Sequence, residues 1–271
     1  MVFLRGLALF ALAYTLSTGT IQAQTQSERK GEFYFSWGYN TEWYTRSNVY
    51  VNQPELQNNY SFRNIKGHDR KGWDDEILNK DFTIPQYNYR IGYFFNKKKG
   101  LGFEINFDHT KFIFSDGQNA AIKGTLNGRA VDSSVVFSQA NGFYYYLNNG
   151  ANFLLFNIVK RMNVYTTKKN QAFKIDFLGK AGIGPVIPHV ENSFFGHAND
   201  PHFQFGGWNV GLEAAFRFTF AKYIYLEYCN KLDYARYSNL KIYSGTAKHA
   251  FGTYEMILNL GGTFPMGKKI H

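Results

Sequence analysis

Residues of opposite character alternate along most of this chain. Between positions 84 and 95, Tyr87, Tyr89, Ile91, Tyr93 and Phe95 share one face, while Gln86, Asn88, Arg90 and Gly92 share the other. A period of two marks an extended strand with two unlike faces. In 101–108, Leu101, Phe103, Ile105 and Phe107 oppose Gly102, Glu104, Asn106 and Asp108. In 208–220, a row from Trp208 to Phe220 opposes Asn209, Gly211, Glu213, Arg217 and Thr219. In 253–264, Tyr254, Met256, Leu258, Leu260 and Phe264 oppose Thr253, Glu255, Asn259 and Thr263. Segments 32–46 and 223–236 alternate similarly, and 143–160 and 172–188 do so less cleanly. The pattern predicts eight strands. Many exceed the usual ~5–6 residues and suit a tilted membrane crossing of about 9–11.

The connections between these strands also alternate, in length. Long loops at 47–83, 115–142, 189–202 and 237–249 take turns with short links at 96–100, 161–171 and 221–222. An even strand count with this rhythm predicts an all-β fold. The specific expectation is an eight-stranded antiparallel transmembrane up-and-down β-barrel with long extracellular loops and short periplasmic turns. The barrel spans 32–264, with periplasmic segments at 24–31 and 265–271. Pro85, Pro185, Pro188, Pro201 and Pro265 fall near strand ends, where a missing N–H does least harm. A soluble barrel such as a lipocalin also alternates. Three features favour the membrane: large apolar faces unbroken by charge, Tyr and Trp toward strand ends, and a polar face mixing both charge signs with Gly. Residues 73–78 have the composition of a short helix, either a lid over the barrel mouth or part of a surface-exposed binding loop.

Composition fits this picture. The chain holds 27 Phe and 20 Tyr, yet its mean hydropathy is −0.37, as spreading aromatics along alternating strands requires. A single Cys229 excludes a disulfide scaffold. Residues 1–23 read as a cleaved signal peptide, with Arg5, an apolar core over 7–16 and Ala23 at the cleavage point. Export directs the protein to the bacterial outer membrane and argues against a nucleic-acid partner, despite a net charge of +10. The basic excess gathers in the short links and terminal segments, on the periplasmic side. The expected partners are lipopolysaccharide outside, phospholipid inside and the barrel assembly machinery during biogenesis, with the protein a monomer.

With polar faces inward, the lumen collects charges of both signs. Arg90, Glu104, Glu213, Arg217, Glu227, Lys231 and Glu255 predict a salt-bridge network, because buried charges must pair. Eight strands leave an interior that side chains fill, so no general pore is expected. The outer rim is the place where chemistry could sit. His109 and Lys111 end the third strand, His189 and Glu191 end the fifth, and Tyr234 and Arg236 lie high on the seventh. Histidine with carboxylate is the material of acid–base catalysis or of a metal site. Alternation points His109 outward unless a bulge re-aims it.

The segments FDHTK (107–111) and GKAGIGPVIPHVE (179–191) resemble those of small outer-membrane barrels related to lipid A oxidase, and the aromatic-rich style resembles Bacteroidetes outer-membrane barrels. The resemblance implies action on or near lipid A, with His109, Lys111, His189 and Glu191 as matching positions and a metal ion as cofactor if the oxidase chemistry holds. A lipid A deacylase would need a His-x-Ser pair, but Thr110 and Lys111 follow His109. Three functions therefore stand open. They are a noncatalytic surface, structural or ligand-binding barrel, a lipid A-modifying enzyme, and a narrow channel. The enzyme requires His109, His189 and Glu191 to converge. In it, His109 or His189 would act as ligand or base and Lys111 would hold a lipid phosphate.

Overall fold

The computed structural model describes residues 31–70, 86–168 and 172–266. The expected signal peptide, the short helix expected at 73–78, and most of the two expected terminal segments lie outside these residues. Eight long strands make the wall: β1 (Gly31–Tyr44), β2 (Tyr87–Asn96), β3 (Leu101–Asp108), β4 (Phe153–Thr166), β5 (Phe173–Pro185), β6 (Gly207–Phe220), β7 (Ile224–Ile242) and β8 (Gly245–Met266). Each pairs antiparallel with the next wall strand in the chain. β1 also pairs with β8 from Gly31↔Met266 to Tyr44↔Thr253, which closes the barrel.

The pleat decides which residues meet lipid. On β6 the outward positions run from Phe220 through Phe216, Leu212 and Val210 to Trp208, all exposed, while Asn209, Glu213 and Arg217 are buried inside. Thirteen residues at ~3.3 Å rise, tilted ~40°, span roughly 30 Å along the barrel axis, enough for an apolar band of about 25 Å. Exposed Trp43, Tyr254, Trp208 and Tyr234 ring the end toward the long loops, and Phe95, Tyr165, Tyr223 and Phe264 ring the other. These are the two aromatic girdles of a membrane-spanning barrel. Two glycines let inward rings lie flat on the wall. A Cβ on Gly92 would sit 2.1 Å from the Tyr34 ring, and one on Gly261 2.4 Å from the Tyr225 ring.

Two expected boundaries move. β4 begins at Phe153 rather than near 143, because Tyr144–Leu147 is a separate short strand above the barrel. The expected loop 237–249 is mostly strand: β7 runs up to Ile242 and β8 starts at Gly245, with a shift of register between Tyr237 and Leu240. The pattern inverts here. Tyr237, Leu240, Ile242, Ala247 and Phe251 are buried, while Arg236 and Lys248 are exposed. Below this level the apolar face looks out at lipid, and above it the polar face looks out at water.

The other long loops fold as well. Ser47–Gln53 pairs with the top of β8, then with Asn58–Ile65, which pairs with the hairpin Asn119–Leu126 and Arg129–Val136. That hairpin turns at Asn127–Gly128, both at positive φ, the backbone of a tight hairpin turn. A second sheet holds Gly67–His68, Phe112–Phe114, Tyr144–Leu147, His189–Phe194 and His197–Ala198. The two sheets enclose a core of their own that includes Val49, Phe62, Phe114, Phe137, Tyr145 and Phe194 and continues down to Phe153 and Phe251 at the barrel mouth. Phe112 stacks on Phe251 at 4.4 Å between ring centres, and Phe114 meets Phe137 edge-on at 4.9 Å. The barrel thus wears a packed cap.

Candidate functional site

The lumen below the cap is filled by ion pairs. Lys180 reaches down the middle to Glu104 (3.1 Å), Glu213 (2.7 Å) and Glu227 (2.9 Å). Arg90 holds Asp108 (2.5 Å), Glu213 (3.5 Å) and Glu104 (3.8 Å). Lys231 holds Asp108 (2.7 Å), Glu255 (3.0 Å) and Asp233 (3.3 Å), and Arg217 holds Glu227 (2.6 Å). The structure therefore joins Arg90, Glu104, Glu213, Arg217, Glu227, Lys231 and Glu255 through Asp108 and Lys180, with Asp233 attached at Lys231. All of these side chains are buried. Glu213, Glu227 and Cys229 bring metal-ligating atoms within 4.8 Å of one another. The Lys180 ammonium already pairs with both carboxylates, so the positive charge a metal would bring is present. The Cys229 thiol donates to Glu227 at 3.5 Å and packs in an apolar layer.

That layer seals the network from the short-turn end. Tyr34, Phe94, Val159, Leu178, Tyr225 and Ile257 cross the lumen there. The Arg217 guanidinium lies 4.0 Å from the Tyr225 ring centre and 4.5 Å from that of Tyr34. Side chains fill the barrel at this layer, through the network and again in the cap core.

The outer rim holds a cleft of about 640 Å³ on the outside of the wall, across the upper ends of β2 to β5. Its floor is aromatic and aliphatic: Tyr87, Phe107, Phe203 and Ile187. Arg70, Lys111, Asn148 and Asn149 stand around it. His109 keeps the outward phase of β3, and its N–H continues the ladder by donating to the Tyr87 carbonyl (2.8 Å). It is nonetheless buried, because its ring stacks on Tyr87 at 4.7 Å and its Nδ1 bonds the Asn152 amide oxygen at 2.9 Å. The Asn152 amide in turn donates to the Ile187 carbonyl at 2.9 Å, pinning the segment after β5 to the rim. Burial lowers the His109 pKa to about 4, so the ring is neutral at pH 7.

The other expected rim residues go elsewhere. His189 packs edge-on against Phe203 at 4.9 Å, and burial lowers its pKa. Glu191 borders a different depression with His68, Asp116 and Tyr146. No hydrogen bond or ion pair joins His109, His189 and Glu191 among the described residues. They share no centre at which a metal would sit. Tyr234 and Arg236 face outward on β7 beside Trp208, with β6 between them and the cleft. Asn152 and Arg70 escape a reading of the sequence. Asn152 follows Asn148, Asn149 and Gly150 in what reads as an ordinary turn, and Arg70 lies in a long loop.

No family model matches the chain, and no curated protein does either. Among solved structures it is similar to Ail of Yersinia pestis, at 16% identity over 87% of this chain and 99% of that one, with a TM-score of 0.33. It is also similar to the outer membrane protein OprG from Pseudomonas aeruginosa (11%, covering 89% and 99%, TM-score 0.39). The outer membrane protease OmpT from Escherichia coli aligns at 9% over 90% and 99%, with a TM-score of 0.40. At such scores the barrel assignment rests on this chain's own strand pairing, which closes after eight strands.

Proposed function

We propose that the protein is a sealed surface barrel of the bacterial outer membrane, exported by its signal peptide and working as a noncatalytic monomer. Its rim cleft binds the anionic headgroup of an outer-leaflet lipid. The observation that carries this reading is the position of the cleft. It opens on the outer wall where the apolar belt ends and the cap begins, the level of lipid headgroups. Tyr87, Phe107 and Phe203 offer surface to acyl chains and sugar rings. The exposed Arg70 offers charge to phosphate, the buried Lys111 adds positive charge beneath it, and Asn148 and Asn149 offer amides to hydroxyls. Placing the short-turn end in the periplasm follows the rule that barrel turns are short on that side.

Binding of bis-phosphorylated lipid A to the detergent-solubilised protein tests this. An Arg70→Gln/Lys111→Gln variant is expected to bind about tenfold or more weakly, as loss of two charge-assisted contacts implies. Equal affinity for lipid A and for its dephosphorylated form would overturn the reading. The lipid A oxidase alternative draws no support from the separate placement of His109, His189 and Glu191. It predicts altered lipid A mass spectra between cells with and without the gene, whereas the binding role predicts identical spectra. The channel alternative predicts ion conductance in planar bilayers, against which the closed lumen weighs.

A further inference from the structure

The barrel has a second cavity, at the opposite end and inside the wall. This blind cup of about 550 Å³ opens between the short turns. Deeper in the lumen, behind the polar lining, lies the aromatic layer of Tyr34, Phe94 and Tyr225. Among the described residues, five cations line it from four parts of the chain: Lys97 and Lys98 on the β2–β3 turn, Arg161 on β4, Lys174 on β5 and Lys222 on the β6–β7 turn. Two carboxylates face them, Glu32 and Asp176. Glu32 is already divided between Arg161 and Lys97, the latter at 3.3 Å. Asp176 accepts the Asn163 amide at 2.8 Å. Arg161 is also fixed from the side, with its guanidinium 4.0 Å from the Phe94 ring centre. The neutral lining adds Thr166, Thr219 and Thr263, of which Thr166 donates to the Asn163 amide oxygen and Thr263 to the Tyr223 carbonyl.

A concave wall with a surplus of positive charge and low-dielectric aromatic backing concentrates anions. A salt-bridge plug would have matched its signs, as the network higher in the lumen more nearly does. From this we infer that the cup is a binding site for a multiply charged phosphate group presented from the short-turn side. Arg161, held by Glu32 and Phe94, is the fixed member, and Lys97 and Lys174 close on the ligand. That this side is the periplasm rests on the orientation proposed above, but the binding itself does not.

Titration calorimetry of the full folded protein in zwitterionic detergent at low salt, with inorganic pyrophosphate as probe, tests the site. Saturable binding is expected. It should weaken about tenfold or more in Lys97→Gln/Lys174→Gln, through loss of two charge-assisted contacts, and likewise in Lys174→Gln/Lys222→Gln. The second pair guards against misfolding of the first. Lys123→Gln, on the exposed cap hairpin and lining neither cavity, should leave pyrophosphate binding unchanged, which separates a built site from general surface charge. Repeating the titration in cardiolipin and in phosphatidylcholine vesicles identifies the source. Competition by the doubly charged cardiolipin marks a lipid headgroup, and none marks a soluble phosphorylated compound. Absence of saturable binding up to millimolar probe, or unchanged affinity in both double variants, would overturn the inference.

Discussion

Lys180→Met is the sharpest test of how the lumen is held together. The ammonium makes three contacts at 3.1 Å or less, to Glu104, Glu213 and Glu227, and every side chain involved is buried. The network sets four cations, Arg90, Lys180, Arg217 and Lys231, against six carboxylates, Glu104, Asp108, Glu213, Glu227, Asp233 and Glu255. Methionine fills the volume but removes a positive charge from a network that already has more acids than bases. Removing one partner of a buried pair costs about 3–5 kcal/mol, because the remaining charge is stranded. Urea unfolding from lipid vesicles, followed by the fluorescence of the lipid-facing Trp37, Trp43 and Trp208, reads this directly. With a slope of roughly 2 kcal/mol per molar urea, the midpoint should fall by about 2 M. Adding Glu213→Gln should restore at least half of the loss, since Glu213 keeps only a 3.5 Å contact to Arg90 once Lys180 is gone. A midpoint unchanged by Lys180→Met, or lowered further by the second change, would refute the view that this network carries the interior.

Three other outcomes follow from the packing. Burial lowers the His249 pKa to about 3. The unfolded chain then takes up the proton first, so this contribution to stability is present above pH ~6.5 and is lost as pH falls toward ~3. His109, lowered to about 4, acts in the same sense. Near-ultraviolet circular dichroism should show the cap loosening between pH 7 and 4. His249→Phe should flatten that dependence, and an unaltered slope would contradict it. Cys229 is fully buried, so a membrane-permeant maleimide should label it only after unfolding; rapid labelling of the folded barrel would argue against the sealed interior. Gly92→Val should push the Tyr34 ring off the wall and lower the urea midpoint, by about 1–3 kcal/mol of overpacking, and an unchanged midpoint would mean the ring has room to move.

The rim shows where a reading by residue type falls short. His109, His189 and Glu191 attract notice because their side chains titrate, yet the contact that organises the rim runs through an amide. Asn152 bonds His109 on one side and the Ile187 carbonyl on the other. An asparagine near a glycine carries a turn signal in any sequence, so its role becomes visible only when β3, β4 and β5 are side by side. Arg70 is a similar case. It lies far ahead of His109 in the chain and belongs to none of the eight wall strands. It lines the cleft with Lys111 only because the cap folds back over the rim.

The alternation of the chain determined the barrel by itself. A period of two over eight long segments, with connections alternately long and short, leaves few other folds, and the eight strands appear close to where the pattern puts them. The pairing of lumen charges was also legible, since buried charges of both signs on facing strands have to meet. Only the tertiary structure decided what happens above the membrane. There the solvent outside the wall changes from lipid to water, so the apolar face must turn inward, as it does at Tyr237, Leu240, Ile242, Ala247 and Phe251. A sequence pattern does not state which medium each face meets. Without that, a strand that leaves the membrane and changes its apolar face reads as a loop, and a packed cap reads as four loops.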